Sequence, residues 1–272
     1  MKETYYNLNV PYRIALIADT HNQPVPGLIE SLRKNHPDVI CIVGDIIQGY
    51  LPKSGLKMLE STNAMELLKQ CAAIATTYFS FGNHEWLLAD EDVEMIASTG
   101  VEILDNSWVV KEGVVFGGLS SASLAFYRNY RNHQKEKILY PGEFPAPREF
   151  VPMPVLSWLP EYEKQNGYKI LLCHQPEYYT KYLKDMNIDL ILSGHAHGGQ
   201  IQIGSRGLYA PDQGLFPKLI GGVLDDRLVI SRGLSNTSRI PRINNPMEIV
   251  YIEPHRYKTG ESQNEDLDSD EF

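Results

Sequence analysis

Short, almost wholly apolar runs alternate with amphipathic stretches over the first hundred residues. "RIALIAD" (13–19), "DVICIVGD" (38–45) and "TTYFSFGN" (76–83) have strand length and little polar face, as strands buried on both sides do. Between them, "GLIESLRKNH" (27–36) and "LKMLESTNAMELLKQCAAI" (56–74) carry apolar residues at helical spacing. "DEDVEMIAST" (90–99) opens on acids, which a helix N-terminus favours. This alternation predicts an α/β architecture with a largely parallel first half. The pattern changes at Val101, where "VEIL", "SWVVKEG" and "VVFGGL" follow one another closely and read as antiparallel strands. From Ser120 to about Gly167 no period holds. That stretch contains six prolines (141, 145, 147, 152, 154, 160) and the polar-aromatic "FYRNYRNHQKEK" (126–137). Alternation resumes with "YKILLCH" (168–174), a helix near 176–186 and "IDLILSGH" (188–195). The Gly-rich last third carries strands at "RLVISRG" (227–233) and "MEIVYIE" (247–253).

The length of 272 residues allows one large domain or two small ones. With no repeat and no linker, the expectation is a single domain over 1–260 with an irregular insertion at about 120–167. The net charge of −9 is concentrated in the tail "ESQNEDLDSDEF" (261–272), whose six acids face no Lys or Arg, leaving about −3 on the rest. The tail reads as a solvated, disordered end, and the body has no basic block to hold a nucleic acid. No run approaches a transmembrane helix and no secretory leader precedes the first strand, so a cytoplasmic protein is expected. Cys41, Cys71 and Cys173 lie inside apolar runs without metal-type spacing and read as buried thiols. Oligomeric state leaves no signal.

The apolar runs end in residues that bind metals. "IADTH" brings Asp19 and His21, "IVGD" Asp45, "SFGNHE" Asn83 and His84, "LLCH" His174, and "LSGHAH" His195 and His197. Five of the eight histidines stand there; His36, His133 and His255 fit no such place and read as surface residues. In open α/β sheets the carboxyl ends of strands line one crevice, so groups distant in sequence converge. Carboxylate, imidazole and amide oxygen together suit Mn, Fe, Zn or Co rather than a thiolate zinc site or a calcium cage. Seven such groups exceed one tetrahedral ion, and an Asp shared by two ions is the economical arrangement. If the segment is extended, His195 and His197 point to one side. The neighbouring Gly194, Gly198 and Gly199 would let the backbone approach the site and turn away.

The ordered set "DTH" (19–21), "GD" (44–45), "GNHE" (82–85), "H" (174) and "GHAH" (194–197) resembles the calcineurin-like metallophosphoesterase family. The resemblance covers about residues 12–200. Further on, "GGQI", "APDQGLFPKLIGG" (210–222) and "SRGLSN" (231–236) are similar to a bacterial subfamily of cell-wall-associated phosphoesterases and UDP-diacylglucosamine pyrophosphatases. The resemblance implies a four-layer αββα sandwich, two mixed sheets flanked by helices. It implies a phosphoester hydrolase with two divalent ions, the first held by Asp19, His21 and His197 and the second by Asn83, His174 and His195. Asp45 would bridge them, and a hydroxide shared by both ions would be the nucleophile. Catalysis would fall to His84, Asn83 and Asp45, with His84 stabilising the transition state or protonating the leaving group.

Two departures matter. Many family members read G-D-x-x-D, where the second Asp pairs with the catalytic histidine; here "GDIIQG" puts Gln48 at that place. Gln48 can orient His84 but offers far less charge stabilisation, so either Glu85 serves instead or the leaving group needs little protonation, as a phosphate would. The second departure is the long 120–167 stretch, where Tyr127, Arg128, Tyr130 and Arg131 read either as a solvated surface helix or as a cap that grips phosphate and a base or lipid. Arg232, Arg239 and Arg242 compete for the phosphate, and "GLFPKLIGG" is a candidate membrane-surface loop for a lipid-linked substrate. The alternative to an enzyme is a non-catalytic interaction module on the same fold.

Overall fold

The computed structural model describes residues 1–48, 59, 62–85, 88, 90–121, 153–236 and 240–254. The strands are β1 (Lys2–Leu8), β2 (Ile14–Ile17), β3 (Val39–Ile42), β4 (Thr76–Phe79), β5 (Glu102–Ile103), β6 (Ser107–Lys111), β7 (Val114–Leu119), β8 (Tyr168–Cys173) and β9 (Leu190–Ser193). Four two-residue strands follow: β10 (Gln202–Ile203), β11 (Arg206–Gly207), β12 (Tyr209–Ala210) and β13 (Gly214–Leu215). Then come β14 (Gly222–Leu224), β15 (Leu228–Ile230) and β16 (Glu248–Pro254). Helices α1 (Leu28–Asn35), α2 (Asn63–Ile74), α3 (Asp90–Ala97) and α4 (Leu159–Glu163) intervene.

Two six-stranded mixed sheets result among the described residues, ordered β1-β16-β2-β3-β4-β5 and β14-β15-β9-β8-β7-β6. In the first, β2 to β5 run parallel and β16 antiparallel to β2. In the second, β15, β9, β8 and β7 run parallel, bounded by antiparallel β14 and β6.

Side-chain alternation within each apolar run sets the layers. Ile14 and Leu16 of β2 join Phe116, Ile170, Leu172, Leu190 and Leu192 in a core between the sheets. Ala15 and Ile17, pointing the opposite way, pack with Leu28, Leu32, Met65 and Leu68 of the first helical layer. On the far side, Leu171, Ile191 and Leu228 meet Leu159 and Tyr162 of α4 and the π-helical turn Tyr179–Leu183. Both faces of both sheets are therefore covered, which is why their central strands carry so little polarity. Each large apolar side chain so buried contributes about 1.5–3 kcal/mol. Tyr78 and Phe116 stack across the inter-sheet layer at 4.2 Å. The four-layer α/β sandwich expected from the sequence is the observed architecture.

Several details differ. β1 was not anticipated, because "KETYYNL" is half polar; it lies at the sheet edge, parallel to β16, where such a strand is tolerated. β5 does not join an antiparallel meander but extends the first sheet parallel to β4. Helix α2 starts at Asn63, where the Thr62 hydroxyl caps it by accepting the Met65 N–H; residues 56–58, 60 and 61 of the helix expected there lie outside the described residues. The helix expected near 176–186 is reduced to a short π-helical turn. The supposed insertion ends in α4, so 153–167 is structured, while 122–152 and the acidic tail lie outside the described residues. The three cysteines are buried and unpaired. His36 is exposed, as expected; His133 and His255 lie outside the described residues. In "GLFPKLIGG", Leu215 and Phe216 are exposed and Ile220 is buried. Among the described residues, no helix is long and apolar enough to cross a membrane.

Candidate metal centre

The loops after β2, β3, β4, β8 and β9 meet at the carboxyl ends of both sheets. Backbone contacts lock them together: Asp19 N–H donates to Gly44 O, His21 N–H to Asp45 O, and Gly194 N–H to His174 O. Gly44 sits at φ +97°, and a Cβ there would lie 2.3 Å from the Gly82 nitrogen. A side chain at Gly44 would push the GD and GNHE loops apart. Gly194 serves the same purpose between the GHAH and DTH loops, since its Cβ would stand 2.7 Å from Asp19 Oδ2.

Asp19 and Asp45 sit at the centre, buried and tied to main-chain donors, Asp19 through both oxygens (Oδ1 also accepts the His195 N–H, at 3.3 Å) and Asp45 through one. Asp19 Oδ2 accepts the His195 N–H at 3.1 Å, and Asp45 Oδ1 accepts the His84 N–H at 2.9 Å. The other oxygens face imidazoles. Asp19 Oδ1 lies 3.9 Å from His21 Nε2, 3.9 Å from His174 Nε2 and 3.7 Å from His197 Nε2. Asp45 Oδ2 lies 3.1 Å from His174 Nε2 and 3.8 Å from both His21 Nε2 and His84 Nε2. The histidines pair: the His21 and His197 rings are 5.3 Å apart, and those of His174 and His195 5.0 Å. Four overlapping metal-capable groups form among the described residues: Asp19–His21–His197, Asp45–His174–His195, His21–Asp45–His84 and Glu177–His195–Asp212.

The extended His195–Ala196–His197 segment expected from the sequence is not what brings the two rings to the site. His195 (φ 65°) and His197 (φ 46°) are left-handed, and a 3-10 turn begins at His197. Asp19, His21 and Asp45 are left-handed as well. Left-handed backbone at non-glycine residues costs about 1–2 kcal/mol each. Such outliers are held by their surroundings and gather at functional sites.

His21 Nε2, His174 Nε2 and Asn83 Oδ1 are buried without hydrogen-bond partners. His174 Nδ1 donates to Val43 O at 2.7 Å, so in the neutral ring Nε2 is a lone pair 3.1 Å from a carboxylate oxygen. Two lone pairs so placed repel unless positive charge lies between them. Without metal a proton fills that need: burial opposes it, but the Asp45 carboxylate outweighs burial and pushes His174 up to about 10. Burial likewise works against the Asp45 charge, yet His174 holds it well below the usual carboxylate range. Burial lowers His21 to about 4 against the pull of Asp45 and Asp19, leaving it a neutral ligand near pH 7. Metal bonds of about 2.0–2.2 Å set neighbouring donors about 3–3.5 Å apart. The His174–Asp45 pair at 3.1 Å meets that, and the 3.7–3.9 Å contacts of His21 and His197 stand slightly wide. The residues fit divalent ions.

The outer partners of the GHAH histidines are opposite in kind. Asp212 Oδ2 accepts from His195 Nε2 at 3.0 Å. That hydrogen bond, against partial burial and aided by Gln175, holds Asp212 low, at about 2. His197 Nδ1 instead receives Arg242 Nη2 at 3.2 Å. Burial and then Arg242 lower His197 to about 3. Because Arg242 only donates, His197 can move its own proton to Nδ1 only if the guanidinium shifts.

His84 is oriented by neither side chain weighed from the sequence. Its Nδ1 faces the main-chain carbonyl of Gln48 at 2.8 Å, while Gln48 Oε1 is buried without a partner. Glu85 turns away from His84 and accepts four backbone N–H groups, from Gly82 (2.7 Å), Asp45 (2.8 Å), Ile46 (2.8 Å) and Ile47 (3.3 Å). It is the clasp of the GD and GNHE loops. Among the arginines, Arg242 also bonds the carbonyls of Arg232 and Ser235. Arg232 runs along Gly221 to the buried Glu248, with Nε 3.8 Å from its carboxylate. Arg128, Arg131 and Arg239 lie outside the described residues. Main-chain acceptors and the Asp212 contact leave no spacing signal in a sequence, which is why they went unread.

Comparison with known proteins agrees with this geometry. Residues 12–199 match the family described as calcineurin-like phosphoesterase. A zebrafish (Danio rerio) "transmembrane protein with metallophosphoesterase domain" is 30% identical over 70% of the chain and 41% of its own length. Bacillus subtilis YpbG, an uncharacterized protein, is 27% identical over 73% of the chain and 66% of its own length. A Campylobacter jejuni protein described as an uncharacterized metallophosphoesterase, Cj0846, is 26% identical over 90% of the chain and 60% of its own length. The chain thus spans between 41% and 66% of the length of these relatives. With its metal-capable groups at the strand ends and a match over most of its length, the chain belongs to the calcineurin-like phosphoesterase family.

Proposed function

We propose that this chain hydrolyses phosphoester or pyrophosphate bonds with two divalent ions drawn from Mn, Fe, Zn and Co. The observation that carries this reading is the set of buried, unpartnered donor atoms on His21, His174 and Asn83 around two aspartates. Asp19, His21 and His197 would hold one ion, Asn83, His174 and His195 the other, and Asp45 would be shared. When bound, such ions polarise phosphoryl oxygen and acidify water.

His84 is the residue placed to act on the substrate. Its side chain is 26% exposed beside the buried Asp45, so it reaches outward from the cluster. With Nδ1–H held by a neutral carbonyl rather than a carboxylate, Nε2 of the neutral ring is a lone pair, and no acidic partner on the Nδ1 side supports proton donation to a leaving group. That chemistry favours weakly basic leaving groups, so pyrophosphates and activated diesters are the expected substrates over alkyl monoesters. An open groove of about 450 Å³ beside Arg242 leaves room for the rest of the substrate; it is lined by Asn236, Asn244 and Asn245, whose amide nitrogens bond main-chain carbonyls. A lipid-linked phosphoester belongs in the same class.

The test is hydrolysis of a phosphomonoester, a chromogenic phosphodiester and a nucleoside-diphosphate sugar after reconstitution with each metal. Turnover of the diester or diphosphate is expected. A folded, metal-loaded chain that turns over none would favour the interaction module. His84→Ala is expected to lower kcat by about 10²–10⁴-fold while the metal content, read by atomic emission, is unchanged.

A further inference from the structure

We propose that Asp212 is a positioning residue that selects the tautomer of His195 and so sets the affinity of one ion position without touching the ion. The assignment rests on the two-ion reading above. A carboxylate only accepts, so the 3.0 Å contact between Asp212 Oδ2 and His195 Nε2 requires the ring proton on Nε2. Nδ1 is then the single lone pair of the neutral ring, the atom that His195 would offer to the group Asp45–His174–His195. A histidine free to rotate its proton between nitrogens spends part of its time as a non-ligand; a fixed one does not.

The carboxylate is itself braced. Gln175 Nε2 donates to the same Asp212 oxygen at 2.8 Å, and Gln175 directly follows His174. One oxygen therefore ties the His174 loop to the His195 ring, the two imidazoles assigned to one ion. Asp212 reaches this point from the turn between β12 and β13, where it adopts φ 58° with its side chain half exposed. Glu177 is the other carboxylate nearby; burial pushes its carboxyl up, and neither oxygen is hydrogen-bonded, so it does not direct the His195 proton. His197, whose outer partner is the donor Arg242, has no such device, and the effect of Asp212 should be confined to one ion.

Two substitutions separate this role from a structural one. Asp212→Gly keeps the left-handed turn without strain and removes the acceptor; Asp212→Asn keeps both the turn and an acceptor oxygen. Mn(II) binding to the full chain is measured by equilibrium dialysis, with electron paramagnetic resonance distinguishing a coupled ion pair from a single ion. Asp212→Gly is expected to weaken one of two ions by about 10–100-fold, leaving the other unchanged, and to show single-ion spectra at intermediate Mn(II). Asp212→Asn should restore most of the lost affinity. Unchanged affinity of both ions in Asp212→Gly, or equal weakening of both, would overturn the assignment while leaving the two-ion reading intact. A wild-type chain that binds no Mn(II) would overturn both.

Discussion

Glu85→Ala is expected to be the most destabilising single change at the site, costing about 4 kcal/mol or more. The carboxylate is fully buried and accepts the N–H groups of Gly82, Asp45, Ile46 and Ile47. A buried donor left without an acceptor costs about 1–3 kcal/mol, and here four are stranded at once. Water entering the cavity would recover part of that. Burial and the adjacent Asp45 charge disfavour the Glu85 carboxylate, while the four donors favour it. Burial and Asp45 outweigh the donors and push Glu85 up to about 7. Urea unfolding of the metal-free protein is the measurement. In a chain of this size the thermal midpoint should fall by about 10 °C. A loss under about 1 kcal/mol would mean that the GD and GNHE loops hold their shape without the clasp.

Asp45→Asn is expected to have the opposite profile, with the fold kept and the metals lost. Asn can still accept the His84 N–H through Oδ1, the bond that Asp45 makes at 2.9 Å. It cannot supply the negative oxygen that faces His174 at 3.1 Å and His21 and His84 at 3.8 Å. An amide nitrogen turned to those rings would repel any cation placed among them. Occupancy of both ion positions should therefore fall. Hydrolysis should drop at least about a thousandfold, roughly 4 kcal/mol of transition-state stabilisation. Metal content and the unfolding midpoint measured on one preparation separate this result from Glu85→Ala.

The contrast between these two residues shows what the sequence could and could not reveal. The strands carrying the site were legible because both faces of each sheet are covered, so β2 and β3 are apolar throughout and β8 and β9 nearly so. Ligand types at their ends were legible because strand termini converge in this architecture. Edge and ribbon elements were not: β1 is half polar, and β10 to β13 are two residues each, too short for any period. The way His195 and His197 meet the site was also misjudged, since left-handed backbone rather than an extended segment directs them. Gln48 was weighed as a side chain, whereas its main-chain oxygen meets His84. Glu85 was weighed as a partner for that histidine, whereas it binds backbone. Contacts to main-chain atoms are set by loop geometry, which residue types alone do not encode.

The central claim is that two ions share Asp45 among ligands drawn from five loops. Counting Mn(II) per folded chain at saturation, by equilibrium dialysis and atomic emission, tests it most directly. The account predicts about two ions per wild-type chain and fewer than one in Asp45→Asn. Wild-type chains that saturate at one ion or none, or an Asp45→Asn chain that still holds two, would contradict it.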